Sequence, residues 1–152
     1  MILISHRGNV DVVNVEKENT KSYIQEAIDL GYDVEIDVRY VDNKFWLGHD
    51  KADYEVELEW LIERKNNLWI HCKNFESLSE LLQTDLKVFY HLKEDYTIIS
   101  DKHIWAHNLE NINKKCIIPL INKVDILKWK PTPVYGICSD YVGLLNNKGE
   151  LK

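Results

Sequence analysis

A chain of 152 residues with 45% hydrophobic content, 6 glycines and 3 prolines has the size and composition of one globular domain, expected to span 1–152 around a single core. Its 19 basic against 25 acidic residues give a net charge of -6, which speaks against nucleic-acid binding or attachment to acidic membranes through bulk electrostatics, so an anionic substrate must be met by a local cluster. No apolar run approaches the roughly 20 residues of a membrane span, the opening Met1 to His6 lacks the features of a secretory leader, and Cys72, Cys116 and Cys138 sit singly in apolar runs as buried reduced thiols would, so no stable membrane insertion and a cytoplasmic location are expected.

In chain order, Ile2-Leu3-Ile4-Ser5-His6 reads as a first strand over 2–6. Between Thr20 and Leu30, Tyr23, Ile24, Ala27 and Ile28 share one helical face, with Asn19 or Thr20 placed to cap the start and Gly31 the end. Strands follow near 33–38, 45–49 and 68–72. Leu58, Leu61 and Ile62 mark a second helix. Leu78, Leu81 and Leu82 mark a third after Asn74, with Ser77 and Glu80 spaced as a capping box. Further apolar runs recur at 87–91, 96–99, 116–121 and 134–138, separated by short or weakly periodic segments. Eight strand candidates in an alternating pattern predict an α/β fold: a compact (β/α)8 TIM-like barrel with short or missing helices in its C-terminal half. Such barrels typically need about 250 residues, so this would be a stripped version, and an open α/β sheet is the alternative.

The strand ends carry the chemistry. In Val34-Glu35-Ile36-Asp37-Val38 the period of two places Glu35 and Asp37 on one face and the three apolar residues on the other. Two close carboxylates repel, and in a low-dielectric interior one must take a proton unless a cation neutralises the pair. A hard divalent metal, Mg2+ or Ca2+, suits their oxygens. His6 and His49 each follow an apolar strand and would emerge at the same rim. Two imidazoles titrating near neutrality can divide the proton transfers of phosphodiester cleavage, without the sequence saying which is acid and which is base. In Trp69-Ile70-His71-Cys72-Lys73, alternation puts His71 and Lys73 on one face. Lys73 would bring a cation to a phosphate, and Arg7 a planar fork. His91, His103 and His107 show no metal-site spacing and read as surface or packing residues. Tyr90-His91, Glu94 to Thr97 and Ile104-Trp105 sit where later strand ends would reach a pocket, and Ser139-Asp140-Tyr141 reads equally as a pocket mouth or a plain turn.

Together, His6-Arg7-Gly8, Glu18-Asn19-Thr20, Gly31 through Glu35-Ile36-Asp37-Val38, and His49-Asp50 resemble the glycerophosphodiester phosphodiesterase family, of the PI-PLC-like phosphodiesterase TIM-barrel superfamily, in order and spacing. The resemblance covers residues 2–50 and is weaker at Trp69 to Lys73. It implies a (β/α)8 barrel in which His6 and His49 are the general acid and base, Glu35 and Asp37 bind metal, Arg7 and Lys73 contact phosphate, and Glu18 lies near the site. It also implies that a substrate hydroxyl next to the phosphate is the first nucleophile. The departure is His71, where the family generally has an acidic ligand. An imidazole there is a poorer partner for Mg2+ or Ca2+ and a better one for Mn2+ or Zn2+.

The leading expectation is therefore a metal-dependent hydrolase of small glycerophosphodiester-like substrates, acting in lipid metabolism. One alternative is a noncatalytic phosphate-ligand-binding barrel whose metal site is impaired at His71. Another is an isomerase or aldolase using Lys73 as an amine nucleophile.

Overall fold

Alternation decides what each strand of this chain buries, and it holds along the central strands of the computed structural model, which describes residues 1–147. The elements are β1 (Ile2–His6), α1 (Lys21–Asp29), β2 (Asp33–Val41), β3 (Lys44–Leu47), β4 (Tyr54–Val56), α2 (Leu58–Glu63), β5 (Leu68–Cys72), α3 (Phe75–Leu81), β6 (Lys87–Phe89), β7 (Tyr96–Ile98), β8 (Ile104–Ala106), β9 (Cys116–Pro119), α4 (Lys123–Lys128), β10 (Gly136–Ser139) and α5 (Val142–Asn147). Val34, Ile36 and Val38 of β2 join Leu68, Ile70 and Cys72 of β5 in a core closed by Ile24 and Ala27 of α1, Leu61 of α2 and Leu81 of α3. On the neighbouring strands Ile118 and Ile137 pack with Ile126 of α4 and Leu145 of α5. The opposite face carries Ile4, Trp69, Phe89, Trp105, Ile117 and Cys138, which form a third cluster.

The closed (β/α)8 barrel is not formed. The ten strands make one mixed sheet. Strands β6, β5, β2, β1, β10, β9 and β8 run parallel in that spatial order, while β3 and β4 fold back antiparallel on the end of β2, and β7 lies antiparallel on β8. The cause is local. Between β6 and β7 there is only the segment 90–95, too short for a crossover helix, and the turn at 99–103 makes β7 and β8 a hairpin. Among the described residues β6 and β7 share no strand ladder. Their ends are tied by Ser100, whose N–H donates to the Val88 carbonyl (2.9 Å) while its Oγ accepts from the Val88 N–H (3.0 Å) and donates to the Leu86 carbonyl (3.0 Å).

The expected strand at 45–49 is β3, and it runs against β2. Asp42 and Asn43 both adopt positive φ, +52° and +59°, the backbone of a two-residue hairpin loop that suits these residue types. The helix over 20–30 forms as α1, with Thr20 Oγ1 accepting the Tyr23 N–H and Gly31 following at φ +89°. The capping box at Ser77 and Glu80 does not form. Asn74 caps α3 instead, accepting from the Ser77 N–H, and its amide also donates to the Tyr40 carbonyl. No helix among the described residues is long and apolar enough to cross a membrane.

Candidate active site

Three parallel strands deliver their last side chains to one end of the sheet. β1 brings His6 and Arg7, β2 brings Glu35 and Asp37, and β5 brings His71 and Lys73, held in register by pairing of His6 with Glu35 and of Asp37 with His71. The Lys73 N–H continues that ladder to the Val38 carbonyl (2.8 Å). His49 arrives differently. β3 returns toward the site alongside β2, the Gly48 N–H donates to the Asp37 carbonyl (3.1 Å), and Arg39 Nη2 holds the His49 carbonyl (2.5 Å). Gly48 is required at this approach: its φ is +147° and a Cβ would lie 2.1 Å from the Lys51 carbonyl oxygen. His6, Arg7, Glu35, His49, His71 and Lys73 thereby line one pocket of about 450 Å³.

Asp37 is fully buried and is the hub. Arg7 Nε lies 2.8 Å from Oδ2, Lys73 Nζ 3.5 Å and His71 Nδ1 3.4 Å from Oδ1. Asn19, also buried, donates from Nδ2 to Oδ2 and accepts the Asp37 N–H at Oδ1, both at 3.0 Å. The Arg7 contact is an ion pair outside hydrogen-bond angles, because its Nε has no acceptor in line. Burial alone would raise the Asp37 carboxyl, but His71, Arg7, Lys73 and Asn19 outweigh it and hold the group well below the usual carboxylate range. Glu35, equally buried, is pushed the other way by desolvation and by the Asp37 charge, which His6, His71 and Arg7 only partly offset. Two acids on one strand face thus differ by environment.

The histidines differ as well. His6 Nδ1 lies 2.7 Å from Asp140 Oδ1 at the end of β10, and because a carboxylate only accepts, Nδ1 carries the hydrogen and Nε2 faces Glu35 Oε2 at 3.8 Å. Burial would lower the His6 pKa, yet Asp140 and Glu35 raise it above 6.5. The His49 ring meets its neighbour Asp50 (Nδ1 to Oδ1, 2.8 Å). Burial with the Arg7 and Lys73 charges lowers its pKa below 6.5, against the opposing pull of Asp37 and Asp50. Glu18 stands behind Arg7, accepting from Nη1 (3.2 Å) and from Asn9 Nδ2 (2.9 Å), and the same Asn9 nitrogen donates to Asp140 (2.8 Å).

A metal can be tested against this donor set. Glu35, Asp37 and His71 each offer a ligand atom, and these lie within 4.8 Å of one another. Glu35 Oε2 and Asp37 Oδ1 are buried without a hydrogen-bond partner, although Lys73 and His71 stand within 3.5 Å of Asp37 Oδ1. The three residues could hold a divalent ion, and two carboxylates with one imidazole would suit Mn2+ or Zn2+ better than Ca2+.

No protein-family model, curated protein or solved structure matches the chain.

The geometry therefore stands alone. All eight residues singled out from the sequence, His6, Arg7, Glu18, Glu35, Asp37, His49, His71 and Lys73, meet at this end of the sheet. Part of the Arg7 fork is engaged by Asp37 and Glu18. From sequence Asn9 has no role, Asn19 is a candidate helix cap and part of the Glu18-Asn19-Thr20 motif, and Asp140 stands undecided between mouth and turn. His91, a pocket candidate that also reads as a surface or packing residue, and His107, expected at the surface or in packing, both line the pocket. His91 stacks on His71 with ring centroids 4.3 Å apart, His71 on Phe89 at 5.1 Å, and His107 meets the edge of His91 at 4.4 Å. Burial and the neighbouring His71, His107 and Lys73 push His91 down to about 4, so it stays a neutral wall. His103 does pack, against Tyr135 and Asp101. The signal that marks His91 is its alternation with Phe89 at the end of β6.

Proposed function

We propose that the protein hydrolyses phosphodiesters with His6 and His49 as the proton-transfer pair. The observation that carries this reading is the placement of two histidines of opposed environment in one pocket with Arg7, Lys73 and the Glu35/Asp37/His71 donor set. The neutral His49 accepts the proton of the attacking hydroxyl as its oxygen bonds to phosphorus. The protonated His6, held by Asp140, gives a proton to the leaving oxygen as the other P–O bond breaks. Lys73, and the part of Arg7 not engaged by Asp37 and Glu18, face the negative charge of the phosphoryl oxygens. Glu35, Asp37 and His71 would hold the divalent ion, which when bound supplies further positive charge to the phosphoryl group. The trapped Asp37 charge fixes Arg7 and His71 in place, so the site is preorganised.

Turnover of glycerophosphodiesters and of a chromogenic diester, with Mg2+, Ca2+ and Mn2+ added separately, tests the reading. His6→Ala and His49→Ala are each expected to lower kcat/KM by about 10²–10⁴-fold. Turnover insensitive to both substitutions would overturn it.

One observation favours a second reading, a noncatalytic phosphate-binding module: Arg7 and Lys73 already neutralise Asp37 without metal. In that case phosphate binds equally with and without chelator, and no diester is cleaved under any of the three metals.

A further inference from the structure

The pocket at His6 and His49 is built in two unlike halves. β1, β2, β5 and the segment after β3 bring all its charge, whereas the later part of the chain brings Leu92, Trp105, Pro119 and Ile121 with the rings of His91 and His107, and no carboxylate, amine or guanidinium. A charged ester arm laid against this second half would lose water and meet no counter-charge there. The rings form a continuous row across the strands. Trp105 lies on Phe89 with ring centroids 4.6 Å apart, Phe89 on His71 at 5.1 Å and His71 on His91 at 4.3 Å, and His107 stands against His91 at 4.4 Å and 61°. The row ends there. His107 is exposed just after β8 and has no other ring beside it among the described residues. It also lines the neighbouring cavity of about 680 Å³, where Asn111, Asp125, Lys128, Lys130 and Thr132 offer hydrogen-bond donors and acceptors around Trp129.

We propose that one ester arm of the substrate is a nucleoside whose base stacks on His107 and continues this row, with the edge of the base turned to the polar cavity. The inference rests on the phosphodiesterase reading for the reaction but not for the stacking. The lining separates the ring chemistries that compete for the place beside His107. A sugar alone has no π face to set against the imidazole. A plain aryl group has the face, but uses none of the donors and acceptors beyond it. A purine or pyrimidine has both a π face and a polar edge, and it is uncharged at neutral pH. The net charge of -6 points to a mononucleoside ester, because a polynucleotide requires a basic surface.

Adenosine 5′-(methyl phosphate) and methyl ribofuranoside 5-(methyl phosphate) share the diester and the sugar and differ by the base. Calorimetric titration of the full chain without added metal should find the adenosine ester bound at least about tenfold tighter. His107→Ala should bring the two affinities within about twofold of each other, and His107→Phe, which keeps a ring, should restore the preference. Equal affinity for the two esters in the unaltered chain, or a preference that survives His107→Ala, overturns the proposal. So does phenyl methyl phosphate bound as tightly as the adenosine ester, which would mark the arm as a plain aryl group. Should the preference hold while no diester is hydrolysed, the stacking site stands and the phosphodiesterase reading fails. Hydrolysis of diesters without the preference gives the reverse.

Discussion

Asp140 links the last parallel strand to the first, because the oxygen that fixes His6 Nδ1 also accepts from Asn9, which in turn holds Glu18 behind Arg7. Its charge helps keep His6 protonated above pH 6.5, whereas His49 is neutral from below that value. The sign of the pH dependence follows. On the proposed mechanism kcat/KM should rise as pH climbs through the His49 pKa, where the proposed base loses its proton, and fall as pH climbs through the higher His6 pKa, where the proposed acid loses its own. Asp140→Asn keeps an acceptor oxygen but removes the charge, so the alkaline limb should move to lower pH while the acid limb stays. kcat/KM should fall by about 10–100-fold, the usual loss when a supporting partner is removed. A profile with both limbs unmoved would make Asp140 a purely structural link. His71 permits a second test at this scale. His71→Glu supplies a third carboxylate, and the ratio of activity with Mg2+ to activity with Mn2+ should rise by about tenfold.

At the scale of elements, the turn after β1 is the most constrained piece of the site. Arg7 and Gly8 both adopt positive φ, +56° and +96°, and a Cβ on Gly8 would lie 2.7 Å from the Tyr23 ring on α1. Asn19 has positive φ too, and its N–H donates to the Arg7 carbonyl (3.1 Å), so the two strained residues brace each other beside Asp37. Gly8→Ala should destabilise the protein by about 1–3 kcal/mol. Thermal unfolding would register this as a midpoint lowered by about 2–4 °C per kcal/mol. Much of this level was legible: α1 shows its apolar face and its Thr20 cap in the sequence, and β2 shows its alternation. What misled was competition between nearby polar groups. Ser77 and Glu80 have the spacing of a capping box, but Asn74 precedes them and reaches both the Ser77 N–H and Tyr40, so it takes the helix end. Asp42-Asn43 is a hairpin signal in the sequence, and it turns the strand expected at 45–49 back antiparallel on β2, which a parallel barrel does not accommodate.

For the whole molecule, the strand ends were legible and their arrangement was not. Period-two alternation is a property of single strands, so Glu35 with Asp37 and His71 with Lys73 could be paired from sequence alone. Whether eight strands close depends on crossover length and on long-range contacts such as His6 with Asp140, 134 residues apart, which no local pattern encodes. The seam between β6 and the β7–β8 hairpin shows what takes the place of a closing ladder. Val88 is buried, and its N–H and carbonyl both find their partners in Ser100. Ser100→Ala keeps the backbone bond and removes the hydroxyl, leaving the Val88 N–H without an acceptor at a cost of about 1–3 kcal/mol. Amide exchange should then accelerate at Val88, while exchange in β1, β2 and β10 at the centre of the sheet follows only the lowered global stability. Because Phe89 and His91 follow directly on this strand and stack against His71, a loosened seam should also weaken Mn2+ binding without touching a ligand. Acceleration spread evenly over the sheet would instead mean that Ser100 only caps a turn and that β6 is held by β5 alone.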